Sequence, residues 1–137
     1  MTGGVSMKKI ILITLAFIMA AGFAWARLDS ASFTPEVRYL SPKDENVVDL
    51  TGKESLLFSW KPVPIPGGGR LCYKFELFKG YGYDRIVNET LSHDNVAMVV
   101  PADMFENGSI YTWQVTQRDE MTRNWSRASR WVFKVKK

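Results

Sequence analysis

The chain has one cysteine, one histidine and, past Phe23, no long apolar run. Each shortage closes off a class of protein. With Cys72 alone, no internal disulfide can form, so an apolar core must hold the fold even in an oxidising compartment. Cys72 and His93 are too few to build a multi-ligand zinc cluster. Nucleophilic catalysis of the Ser/His/Asp or Cys/His kind needs a histidine beside the nucleophile. His93 instead sits in Ser92-His93-Asp94-Asn95, a run of turn formers that reads as a solvated loop. The acids Asp103, Glu106, Asp119 and Glu120 fall in connections, with Asp119-Glu120 reading as a solvated turn, so they do not make the facing carboxylate pair of a glycosidase. Gly67-Gly68-Gly69 lacks the lysine and the strand-to-helix context of a phosphate loop. No catalytic residue, cofactor-binding residue or metal ligand is therefore assigned, and the chain reads as a non-enzyme.

Charge excludes a further class. The 137 residues carry 18 basic and 14 acidic side chains, a net +4. Two of the basic residues belong to an N-terminal pattern: Met7-Lys8-Lys9, an apolar run from Ile10 to Phe23, then Ala24-Trp25-Ala26. This is the basic, apolar and small-x-small order of a signal peptide of bacterial type, spanning 1–26, with Met7 as the candidate true start. An uncleaved anchor is the other reading, but a spanning helix wants roughly 20 apolar residues, and this run is shorter and ends in a cleavage motif. No cysteine follows the run, which excludes a lipid-modified N-terminal cysteine. Without Lys8 and Lys9 there are 16 basic residues against 14 acidic ones, a net +2. They are scattered, and only Lys134-Val135-Lys136-Lys137 is locally basic, so nucleic acid is excluded as a partner. The expectation is an exported protein, periplasmic or extracellular, that meets a membrane only through the signal peptide before cleavage.

After a polar leader, 27–34, the chain alternates at period 2 between turn residues, with no stretch of period 3.6 long enough for a substantial helix. Seven strands are expected: Glu36–Leu40; Leu56–Trp60; Leu71–Phe78; Arg85–Leu91, polar enough for an edge; Val96–Val100; one carrying Tyr111, Trp113 and Val115; and one carrying Trp131, Phe133 and Val135. In the third, Leu71, Tyr73, Phe75 and Leu77 share one face and Cys72, Lys74 and Glu76 the other, which predicts a half-solvated sheet. Seven short antiparallel strands over 35–137 read as an all-β sandwich.

Phe105-x-x-Gly108-x-x-Tyr111-x-Trp113-x-Val115 places a tight turn, a core plug and then a tyrosine just inside a strand. This pattern resembles the connection and penultimate strand of the fibronectin type III domain, an immunoglobulin-like fold, including its tyrosine corner. Leu56-x-Phe58-x-Trp60 followed by Pro62 is similar to that family's second strand with its buried tryptophan, and Tyr73-x-Phe75-x-Leu77 to its third. The resemblance covers roughly Pro35 to Lys137. It implies a core of Trp60, Phe105, Tyr111, Trp113 and Trp131, and a module that binds or spaces without catalytic residues or cofactors.

Three surface features are candidates for binding or structure. Gly80-Tyr81-Gly82-Tyr83 offers two tyrosines either as an exposed stacking platform for a sugar face or a partner protein, or folded back on the sandwich edge. Trp125-Ser126-Arg127-Ala128-Ser129 resembles a degraded Trp-Ser-x-Trp-Ser motif of cytokine-receptor fibronectin domains. That resemblance implies a cation-π stack of Trp125 with Arg118, Arg123 or Arg127. Cys72, on the polar face of its strand, is either a free surface thiol able to link two chains or a thiol shielded at a sheet edge or by a loop. The expected partner is an envelope or extracellular protein or, in the second reading, a cell-surface polysaccharide. Mass spectrometry of the exported protein is expected to give Arg27 as its first residue; a first residue at Met1 or Met7 would overturn the cleavage reading.

Overall fold

The computed structural model describes residues 34–137. The signal-peptide pattern and all of the leader but Thr34 lie outside the described residues. Eight strands form: β1 (Arg38–Ser41), β2 (Asn46–Asp49), β3 (Ser55–Lys61), β4 (Leu71–Lys79), β5 (Asp84–Leu91), β6 (Ala97–Pro101), β7 (Ile110–Asp119) and β8 (Trp131–Lys136), with a 3-10 turn at Ala102–Met104. They make a three-stranded sheet of order β1-β3-β6 and a five-stranded sheet of order β2-β8-β7-β4-β5.

The structure corrects the expected seven antiparallel strands. The additional strand is β2, which lies parallel to β8, with Asn46 opposite Phe133 and Asp49 opposite Lys136. After β1 pairs with β3, the chain crosses at the cis Ser41–Pro42 peptide and joins the other sheet. Asn46-Val47-Val48-Asp49 is too short and too exposed to carry a period-2 signal of its own. Its place is set by partners outside it. Glu45 N–H donates to Val132 O at 2.6 Å, and Val132 N–H donates to Asp44 Oδ1 at 2.7 Å.

The two sheets pack face to face through aromatic rings. Phe58 of β3 meets Phe75 at 4.9 Å, Trp113 at 5.3 Å and Phe133 at 5.8 Å, in edge-to-face contacts that join both layers. Trp60, Tyr73, Phe75, Tyr111 and Trp113 are fully buried, whereas Trp131 is half-buried and packs edge-on against Trp113. At the turn into β7, Gly108 takes φ +79°, a conformation that disfavours any side chain, and its N–H donates to Val135 O at 2.8 Å. Phe105 lies edge-on to Tyr111 at 4.9 Å, and the Tyr111 hydroxyl accepts the Glu106 N–H at 2.7 Å. The ring plugs the core while its oxygen holds the connection that leads into it.

The β7–β8 ladder runs only from Ile110 to Trp113. Beyond it, residues of the other sheet and of the β7–β8 connection satisfy the β7 backbone. Val115 N–H donates to the hydroxyl of Tyr39 at 2.8 Å, and that hydroxyl donates to Ser129 O. Ser126 N–H donates to Gln117 O at 2.7 Å, and Gln117 N–H donates to Ser126 Oγ at 2.9 Å. The Gln117 side chain is fully buried; its Nε2 donates to Pro35 O and Val63 O, and its Oε1 accepts Val63 N–H. Burial above all pushes the Tyr39 phenol up to about 12; the Val115 hydrogen bond opposes this and Glu36 and Glu76 add to it, so Tyr39 stays a neutral donor throughout the stable pH range.

Replacing Tyr111 by Phe is expected to cost about 1–3 kcal/mol, because it strands the Glu106 N–H. Urea unfolding of both proteins checks this, and an unchanged midpoint would show that water satisfies the amide equally well.

Candidate functional site

The outer face of the five-stranded sheet is more tightly built than strand alternation predicts. On β4, the outward-facing Cys72, Glu76 and Phe78 are all buried, which corrects the expected half-solvated face. The cause is a layer of long side chains. Arg130 lies over the Phe78 ring at 5.3 Å and donates from Nε to Gln114 Oε1 at 3.1 Å. Gln114 Nε2 donates to Glu76 Oε1 at 2.9 Å, and Arg85 Nη1 donates to Glu76 Oε2 at 3.1 Å. Burial alone would raise the Glu76 carboxyl, but these two hydrogen bonds, with the charges of Lys74 and Arg85, hold it below its ordinary 4.5.

This layer adjoins the Gly80–Tyr83 turn. Gly80 N–H donates to Ile110 O and its carbonyl accepts the Thr112 hydroxyl, both at 2.7 Å, so the turn is fastened to β7. Gly82 has φ +109°, and a Cβ there would stand 2.5 Å from Arg130 Nη1. The glycine is thus the gap through which Arg130 reaches Phe78. Tyr81 and Tyr83 project outward, 64% and 96% exposed. A fastened turn with two solvated rings can stack against a flat ligand.

At the other end of the same face, the Arg118 guanidinium lies over Trp125 at 5.2 Å, and Arg118 and Trp125 form an isolated bridge. Arg127 contributes its carbonyl, which accepts the Ser126 hydroxyl at 2.8 Å. Ala128 occupies the place of the motif's second tryptophan, and this stretch meets the sheet through Ser129 O and Tyr39. Cys72 is buried on β4, an interior strand of the sheet, opposite Arg118. The surface-thiol alternative is therefore corrected; burial, as the main cause, raises its thiol. Shielding comes from within the face, since β4 is not an edge.

The remaining chemistry-bearing residues do not converge. His93 Nε2 pairs with its neighbour Asp94 at 2.9 Å, Glu106 pairs with Lys79 at 2.9 Å, and Asp119 is buried at the end of β7, where Oδ1 accepts Met121 N–H. The solvated-turn reading of Asp119 is corrected, while Glu120 is exposed. Among the described residues, no three His, Cys, Asp or Glu side chains gather as a metal site would need.

Across the sandwich, the outer face of the three-stranded sheet is different in kind. Leu57 of β3 stands directly opposite Val99 of β6, 53% and 56% exposed, and Leu40 of β1 is 51% exposed. Between them lies a row of Ser41, Ser59 and Ala97. Arg38 stands opposite Lys61 at the end of this sheet. Sequence reasoning missed this face because Leu57 lies out of phase with Leu56, Phe58 and Trp60, so it reads as an isolated exception. The pairing with Val99 turns that exception into a patch. It also missed Tyr39 and Gln117. The second had a signal: Gln117 continues the inward series Tyr111, Trp113, Val115, where a polar side chain requires buried partners.

No protein-family model and no curated protein matches this chain. Among solved structures it is similar to the third fibronectin III domain of the human KIAA0343 protein, determined in solution. The likeness has a TM-score of 0.44 at 19% identity and covers 72% of this chain and 90% of that domain.

Glu76 gives a pH test. A carboxyl depressed in the folded state adds stability above its unfolded value, and that contribution is lost as pH falls through the folded value. Glu76→Gln is thus expected to be less stable than the parent at pH 7, with the gap narrowing below pH 4.5. Thermal unfolding from pH 3 to 8 reads it, and a gap independent of pH would show that the carboxylate's charge contributes nothing.

Proposed function

We propose that this chain is a non-catalytic, exported binding module of the cell envelope or extracellular space, working through protein–protein contacts. The observation that carries the reading is the outer face of the three-stranded sheet. Leu40, Leu57 and Val99 present branched apolar groups beside the small residues Ser41, Ser59 and Ala97. Water-facing strands ordinarily carry polar residues there, and the directly opposed Leu57 and Val99, with Leu40 beyond the small-residue row, offer apolar surface for another protein to cover. Arg38 opposite Lys61 fits the same reading. Like charges directly across a ladder repel, and a carboxylate at the edge of a partner's apolar face would relieve them.

The exposure of Tyr81 and Tyr83 favours a second reading, a carbohydrate-binding module that stacks a cell-surface polysaccharide on the Gly80–Tyr83 turn. The two readings use opposite faces of the molecule, so variants separate them. Leu57→Thr with Val99→Thr, and Tyr81→Ala with Tyr83→Ala, are each expected to leave stability within about 0.5 kcal/mol of the parent. The exported protein, immobilised, is offered solubilised envelope proteins and, separately, insoluble wall polysaccharide. Capture of one specific envelope protein, lost in the threonine variant and kept in the alanine variant, is the expected result. Retention on polysaccharide that disappears in the alanine variant would replace the first reading with the second.

A further inference from the structure

A cavity of about 310 Å³ opens between the Pro62–Arg70 connection and the start of β4, at the end of the sandwich. Its apolar wall is Pro62, Ile65, Leu71 and Tyr73, and its polar members are Arg70 and His93. Neither binding reading above uses this end of the molecule. Two polar groups in the wall are uncommitted. Tyr73 is only 1% exposed, and its hydroxyl has no hydrogen-bond partner among the described residues. Its oxygen is not among the fully buried polar atoms, so the hydroxyl opens to the cavity and is free to donate to a ligand there. Arg70 makes no ion pair among the described residues, whereas the nearby acids are engaged: Asp94 with His93, and Asp119 with the Met121 amide.

We infer that this cavity is a binding site for a small ring-bearing carboxylate, with its ring against Pro62, Ile65 and Leu71 and its carboxylate taken by the Tyr73 hydroxyl and Arg70. The volume suits a ligand of one or two rings, at the lower end of ligand pockets. The apolar wall accepts a flat hydrocarbon body, and the free phenol donor and free guanidinium both demand an acceptor. A neutral ligand would leave the Arg70 charge unopposed, and an amine would oppose Arg70.

His93 is the only histidine in the chain, so its imidazole resonances report on the cavity without assignment of any other residue. The full exported protein is titrated with 4-phenylbenzoate, 4-phenylbenzyl alcohol and 4-phenylbenzylamine, and the His93 ring protons are followed by NMR. The expected result is a saturable shift with the carboxylate and binding at least about tenfold weaker for the alcohol and the amine. Tyr73→Phe should weaken carboxylate binding by about threefold to tenfold, the loss of one hydrogen bond, without lowering the melting temperature, since the hydroxyl has no protein partner to lose. Arg70→Gln, an exposed position, should weaken it by a similar factor or more and leave alcohol binding unchanged. Absence of a saturable shift up to about 10 mM carboxylate, a dissociation constant too weak for a built site, would overturn the proposal. So would equal binding of the three probes, or carboxylate binding unaffected by both variants.

Discussion

The hydroxyl of Tyr39 carries a burden out of proportion to one side chain. Strand β7 pairs with β8 only as far as Trp113; past that point β8 is gone, the 124–126 segment returns to β7 only from Gln117 onward, and the Val115 amide between them is left without a strand partner on that side. Tyr39 crosses from the opposite sheet, wedged between Trp113 at 4.5 Å and Trp131 at 5.1 Å, and places one oxygen where it accepts from Val115 and donates to Ser129. Because backbone groups in an apolar interior must be matched, this oxygen decides where β1 can lie and how the 126–130 segment runs. The fit of the two sheets follows from it. Gln117 repeats the solution one step along, with both side-chain ends spent on loop backbone.

Much of this architecture was legible in the sequence, for a reason visible in particular residues. Leu56, Phe58 and Trp60, then Tyr73, Phe75 and Leu77, then Tyr111, Trp113 and Val115 are large inward side chains at period 2, and burial of that size leaves the chain little freedom in assigning faces. The strand that escaped, β2, is short and exposed and is placed by hydrogen bonds to β8, a partner more than 80 residues away. Local pattern holds no record of such a partner. The same limit applies to the surfaces. The sequence left Tyr81 and Tyr83 either exposed or folded back, and the Leu57–Val99 patch and the covered outer face of β4 exist only once register brings distant strands together.

The two sheets handle their solvent faces in opposite ways. On the five-stranded side, polar and cationic side chains lie down over what would otherwise be open, so that Phe78 and Cys72 are buried without a second layer of backbone. Such a face is already satisfied and offers a partner mainly its rim. On the three-stranded side nothing lies down: the serines and Ala97 are too short, and the branched residues stand alone.

The pairing of β2 with β8 also sets the order in which the molecule can be completed. Everything from Leu50 to Asp119 can form hairpin-like neighbours as it is made, since β3 with β6, and β4 with β5 and β7, lie within that span. The early strand β2 has no partner until Trp131–Lys136 exists, and Tyr39 lacks its Ser129 acceptor until almost the same moment. Closing so long a loop comes late and slowly relative to local pairing. During synthesis, the beginning of the domain therefore waits for its end, and the sandwich closes only when its last strand has been made.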